Sequence, residues 1–216
     1  MNAYALAVAG ALAGIPAAAV AYSTPARGGI RLPTRWWCGA PADPVTVLLV
    51  SLAAGAVTGV VAARLPWSPA APAYWLFAIL GLSLAIIDVR RQRLPYVLTG
   101  SALIVHLLAY GAEAVSAGDV TPLVHAVSAG LATATAMLII ALVLPGQLGL
   151  GDVALTSVVA TSLGALGWAT VIHGIASALL VQAMAAIALR STKRRALPMG
   201  PALIAGWLAA ILLHSA

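Results

Sequence analysis

Charge is scarce in this chain. Only 7% of its 216 residues are Asp, Glu, Lys or Arg, and five of those are acidic. Soluble domains carry about 25% charged residues, so the polar surface is too small to cover a water-exposed globule of this length. Cysteine is scarcer still. Cys38 stands alone, which excludes an intrachain disulfide framework and a cysteine-rich zinc site. No polar block is long enough for a second, soluble domain. The four histidines, His106, His125, His173 and His214, fall singly, with no pair at i, i+4. They predict packing and interhelical contacts, and no metal or cofactor.

What is abundant is apolar: 62% of the residues are hydrophobic and the mean hydropathy is +1.05. Eight runs stand out, at 3–22, 45–64, 73–89, 95–111, 121–144, 152–165, 167–189 and 199–215. Their length suits membrane-crossing helices, and backbone groups in lipid must be satisfied within the segment. None alternates in polarity as a barrel strand does. The predicted class is therefore all-α, a polytopic membrane protein with about eight transmembrane helices, with 1–216 as one integral membrane domain. The sixth run is short and predicts a tilted or partly buried helix. No positive charge precedes the first run, so it reads as a retained helix rather than a signal peptide. Gly10 with Gly14, and Gly55 with Gly59, form GxxxG pairs that predict close helix packing.

The net charge of +6 is not a nucleic-acid footprint, because the basic residues sit in short loops. With the amino terminus outside, alternate threading puts Arg27, Arg31, Arg35, Arg90, Arg91, Arg93, Arg190, Lys193, Arg194 and Arg195 inside. Only Arg64 falls outside. The expected location is the cytoplasmic membrane, multi-pass, with lipid as a partner. The tryptophans, Trp36, Trp37, Trp67 and Trp168 among them, fall mostly near run ends, as an interfacial belt does.

Of the five acids, Asp43 lies in a proline-rich loop, and Glu113 and Asp119 lie in an external loop. Asp88 ends the third run in "LAIIDVRRQRLPY" and Asp152 opens the sixth in "GLGDVAL". Both fall at the cytoplasmic edge of the membrane, where an acid is costly and points to function. Each has a plainer reading: Asp152 as a helix cap, Asp88 as a partner of Arg91 or Arg93. Gly149 and Gly151 permit unusual backbone conformations and close approach of another chain. Two carboxylates in one site cannot both ionise easily. One then keeps its proton while the other takes a proton from water, as in aspartic proteases. The sequence leaves open which aspartate is the base.

These residues resemble a family. "IIDVRRQRLPY" is similar to the first aspartate motif of bacterial type IV prepilin peptidases, with Leu94 and Pro95 six residues beyond the acid. "GLGD" matches their Gly-x-Gly-Asp motif, with Gly149, Gly151 and Asp152. "LPMGPALIAG" resembles the Pro-x-Gly-Pro segment opening their last helix, with Gly200 and Pro201. The motifs lie within 75–208. The resemblance implies a membrane aspartic endopeptidase that removes leader peptides from prepilin-like precursors at the cytoplasmic side, with Asp88 and Asp152 as the catalytic pair. Two positions depart from the pattern. Tyr96 stands where Asp or Asn is usual, and Ala154 where Lys is frequent. A cytoplasmic cysteine-rich segment linked to methylation is common in the family. Residues 23–44 offer Cys38 alone, which implies a short form that cleaves without methylating.

The alternatives are a catalytically inactive or non-enzymatic homologue, given Tyr96 and Ala154, and a protease of the presenilin and signal-peptide-peptidase type. The latter shares GxGD and the triplet Pro201-Ala202-Leu203. It places its aspartates deep in the spans, with Tyr before the first, where this chain has Ile87.

The threading predicts that a Gly118→Cys variant is labelled by an impermeant thiol reagent on whole cells and that a Lys193→Cys variant is not. The reverse pattern would put the two aspartates on the wrong side of the membrane.

Overall fold

The computed structural model describes residues 2–25, 42–144, 148–189 and 197–214, with eight helices among them. They are α1 (Ala3–Ser23), α2 (Pro44–Arg64), α3 (Ala71–Arg91), α4 (Tyr96–Ala117), α5 (Thr121–Val143), α6 (Leu150–Gly164), α7 (Trp168–Leu189) and α8 (Gly200–Leu213). Six are long and apolar enough to cross a membrane, while α6 and α8 are shorter, at 15 and 14 residues. The eight apolar runs thus correspond to eight helices in order. Residues Arg27, Arg31, Arg35, Trp36, Trp37, Cys38, Gln147, Arg190, Lys193, Arg194 and Arg195 lie outside the described residues.

Proline marks several helix starts, at Pro44, Pro72, Pro122 and Pro201. In a first turn its missing N–H costs nothing, because that donor has no intrahelical partner. Asp43 caps α2, its side chain accepting from the Thr46 N–H at 3.3 Å. The fourth helix runs on to Ala117, so Glu113 sits on α4 rather than in a loop. Asp119 does lie in the short turn that follows. Hydrogen bonds from Thr121 hold its carboxyl below the usual carboxylate range.

The helices pair as antiparallel hairpins, α1 with α2, α5 with α6 and α7 with α8. Small residues make each pairing close, because apolar side chains gain little by leaving lipid for another helix. Gly10 and Gly14 face Thr58, Ser51 and Ala54, and Gly55 and Gly59 face Ala7 and Ala11, so the GxxxG pairs serve packing as expected. Gly130 and Gly164 join α5 to α6, and Gly174 and Gly206 join α7 to α8.

At the centre, α6 touches α4, α5, α7 and α8, and every residue from Val158 to Gly164 is buried. Ser162 is the polar hub of this core. Its carbonyl accepts from the Tyr74 hydroxyl at 2.9 Å and the Tyr110 hydroxyl at 3.0 Å, and its Oγ accepts from Trp207 Nε1 at 3.0 Å. Phe77 stacks edge-on against Trp207 at 5.1 Å and His106 at 5.2 Å. His106 is fully buried and its Nδ1 lies 2.8 Å from the Ala102 carbonyl, in keeping with a packing role. One residue of α6 therefore ties together α3, α4 and α8.

The two ends of the bundle are distinct. At one, Arg64 donates to the Leu212 carbonyl at 2.9 Å, joining the ends of α2 and α8. At the other, Arg90 donates to the Ala21 and Tyr22 carbonyls and lies 3.8 Å over the Tyr22 ring. The ends of α1 and α3 thus lie together, as alternate threading requires.

Replacing Trp207 by Phe keeps an aromatic ring but removes the donor to Ser162 along with part of a fully buried indole. Interhelical hydrogen bonds of this kind contribute about 1 kcal/mol. Thermal unfolding of the detergent-solubilised protein is therefore expected to shift down by a few degrees. A melting temperature equal to the parent's would remove Ser162 as a stability hub.

Candidate active site

Asp88 lies in the last turn of α3 with its side chain turned into the protein, and is only 4% exposed. Its Oδ2 accepts the Gly200 N–H at 2.7 Å. Gly200 opens α8, where backbone N–H groups have no intrahelical acceptor and the helix dipole favours an anion. The third motif therefore acts through the first: its amide holds the carboxylate in place. A Cβ at position 200 would lie 3.0 Å from Asp88 Oδ2 and 3.1 Å from Asp88 Cβ. A side chain there would press on Asp88 and could enter only if Asp88 shifted by a few tenths of an ångström. Pro201 follows in the first turn of α8.

After Asp88 the helix stops at Gln92, which takes the left-handed conformation with φ of 50° and donates its N–H to the Asp88 carbonyl at 2.8 Å. This reverses the chain and brings Leu94 back under the helix end. Leu94 is buried against Gly151, where a Cβ would lie 3.1 Å from that of Leu94. The second glycine of GLGD thus admits a close approach by Leu94 of this chain. Gly149 departs from expectation: its φ of −82° is open to any residue.

Asp152 is the third residue of α6, and its Oδ2 accepts the Gly149 N–H at 3.1 Å. This is the reach-back half of a capping box. The capping role expected as a plain reading is therefore present. It uses one oxygen, and Asp152 also lines a cavity of about 520 Å³ together with Asp88. Both carboxylates therefore open onto the same space. For Asp88, the hydrogen bond from Gly200 stands where a pairing with Arg91 or Arg93 was the plain reading.

The turn residues Leu94 and Pro95 and the glycines Gly149 and Gly151 line the same cavity. Gly200 and Pro201 do not, and the bond from Gly200 to Asp88 is their link to it. The cavity also takes in Gln92, Arg93, Tyr96 and Val97. Of these, Gln92, Arg93 and Val97 were not expected at a site, since nothing in their spacing marks them. Tyr96 is exposed on the first turn of α4, so the departure from the usual Asp or Asn puts an aromatic ring on the cavity wall. Ala154 is half-buried on α6 and is not part of the lining.

The depth of the pair within the bundle follows from the helix registers. Gly130 lies opposite Ser157 and Thr161, and Gly164 opposite Ala126 and Ala129. Carried along that register, Asp152 is level with about residue 138, so α5 runs on roughly 8 Å past it at 1.5 Å per residue. In the same way Gly174 lies opposite Gly206 and Ala210. On that register α7 runs roughly 10 Å past Gly200. The carboxylates are thus recessed below the ends of two apolar helices, not flush with the edge of the bundle.

Fold and cavity together define a multi-pass helical membrane protein with two carboxylates held at the starts of α6 and α8. The profile described as the Type IV leader peptidase family matches residues 75–189. The chain belongs to that family, and a general membrane-protease role follows from its membership. No curated protein and no solved structure matches it.

Gly200→Val sets a branched side chain against Asp88. Displacement of a reacting group by about 1 Å costs on the order of a hundredfold in rate. Leader-peptide cleavage is expected to fall by roughly that factor with membrane insertion unchanged. Full activity would show that the Gly200–Asp88 contact is not needed.

Proposed function

We propose that this protein is a membrane aspartic endopeptidase that cleaves the leader from prepilin-like precursors at the cytoplasmic face, with Asp88 and Asp152 activating water. The observation that carries the reading is that the two residues, 64 positions apart in sequence, line one cavity. A water held between them loses a proton to the ionised carboxylate as its oxygen attacks the peptide carbonyl carbon. The protonated carboxylate gives its proton to the carbonyl oxygen. As the C–N bond breaks, the leaving amine takes up a proton from the pair. Asp88 has the Gly200 amide and Asp152 has the Gly149 amide as donors to the anionic form, so either can carry the charge in turn.

The cytoplasmic assignment rests on the distribution of charge. Arg90, Arg91 and Arg93 lie at the cavity end and Arg64 at the opposite end, as the positive-inside rule requires. The expected substrate carries a leader, a glycine before the scissile bond and an apolar helix after it, as the family implies. Leu94, Pro95, Gly149, Gly151, Gly200 and Pro201 position the two aspartates.

Asp88→Asn and Asp152→Asn are each expected to abolish cleavage of a prepilin-like precursor by the purified protein while insertion and folding persist. Asp43→Asn, which keeps an N-cap acceptor and lies outside the cavity lining, is expected to leave cleavage near normal. Near-normal cleavage by Asp152→Asn would reduce that residue to a helix cap.

A further inference from the structure

At the end of α3 the chain turns through Gln92 in the left-handed region, with φ of 50° and ψ of 44°. Two further described residues have positive φ, and both are glycines, Gly118 and Gly167. Glycine takes that conformation freely, whereas any other residue brings its Cβ against the backbone. The chain thus uses glycine at the two such turns that do not line the carboxylate cavity, and a glutamine at the one that does. Gln92 is exposed, so burial of its side chain does not offset the backbone cost. A residue held in such a conformation against local preference points to a use for its side chain.

We infer that Gln92 is a substrate-binding residue whose side-chain amide pairs with the main chain of the extended segment around the scissile bond. The inference rests on the peptidase reading above. Position supports it first. Gln92 lies one helical turn beyond Asp88 and donates its N–H to the Asp88 carbonyl at 2.8 Å, so its side chain leaves the backbone at the wall of the cavity that holds both carboxylates. Chemistry supports it next. Among the described residues that line the cavity, Gln92 carries the one side-chain amide. An amide sets a donor beside an acceptor, the same pair that a peptide group presents, and it stays neutral beside two acids. Arg93 on the same wall offers donors only. The Gly149 N–H is already given to Asp152 at 3.1 Å. The third support is need. A peptide bound in extended form has main-chain groups unpaired within itself. The carboxylates are recessed below the ends of α5 and α7, and unpaired N–H and C=O groups are costly at such depth.

The test uses the full chain in detergent and a synthetic precursor with a basic leader, a glycine and an apolar helix of about 20 residues. Gln92→Ala keeps the Cβ, and with it the backbone cost, but removes the amide. Gln92→Gly removes both. The melting temperature is expected to rise by a few degrees in Gln92→Gly and to stay near the parent's in Gln92→Ala. Both variants are expected to raise KM about tenfold with kcat unchanged, as loss of a binding contact does. A second arm replaces single peptide bonds beside the scissile bond by esters. At one position the ester is expected to raise the parent's KM several-fold and to have no further effect in Gln92→Ala, since coupled groups are not additive. In a third arm, the dissociation constant of the uncleaved precursor is measured in an Asp152→Asn background, where Gln92→Ala is expected to raise it by the same factor. Ester effects equal in parent and Gln92→Ala at every position would overturn the contact. So would a parental KM in Gln92→Gly, and a lower melting temperature in that variant would remove the strain from which the inference starts. Weaker binding in Gln92→Ala without any cleavage by the parent would uphold the contact and sink the peptidase reading. Cleavage with a KM indifferent to both variants would do the opposite, and a parent that neither binds nor cleaves the precursor would sink both.

Discussion

A buried carboxylate in a helical membrane protein needs a donor, because neither lipid nor apolar side chains can satisfy it. For Asp88 that donor is the Gly200 amide at 2.7 Å. The bond joins the end of α3 to the start of α8 across 112 positions of sequence. It uses a group that would be unsatisfied in any case, since the first amides of a helix have no partner within it. The short connection from Gln92 to Pro95 turns the chain beneath this bond, and the buried Leu94 presses against Gly151 to bring up the start of α6. Asp152 therefore reaches the same cavity because of how Asp88 is held.

The opposite half of the bundle supplies the rigidity that this arrangement depends on. Ser162 receives three donors, from α3, α4 and α8, and sits on the helix that begins with the Gly149–Asp152 turn. The helices carrying Asp88 and Gly200 are thus cross-linked to the helix carrying Asp152 well away from the chemistry. The packing loosens towards the cavity, where α5 and α7 have no buried residues in their last turns. The packing is thus tight around Ser162, away from the two carboxylates, and loose along the ends of α5 and α7.

Much of this was legible in the sequence. Eight apolar runs correspond to eight helices, since length and hydropathy alone decide whether a segment suits a membrane. Asp88 and Asp152 stood out because acids are rare in this chain, and the glycines and prolines around them carried the family resemblance. Other features were misread. Glycine at 149 suggested an unusual backbone conformation, yet Gly149 has an ordinary φ. Glu113 belongs to a helix that outlasts its apolar run. Gln92 adopts a left-handed conformation that its residue type does not announce.

By itself the sequence determined the class of protein and the order of the eight helices among the described residues, and it singled out two acids as candidates. These follow from local properties, hydropathy over a window and the cost of a charge in lipid. Only the tertiary structure decided that the acids share a cavity, that the third motif acts through an amide on Asp88, and that the pair is recessed below the ends of α5 and α7. Those depend on contacts between residues dozens of positions apart, and on helix registers set by which small residues face each other. No local window of sequence contains that information.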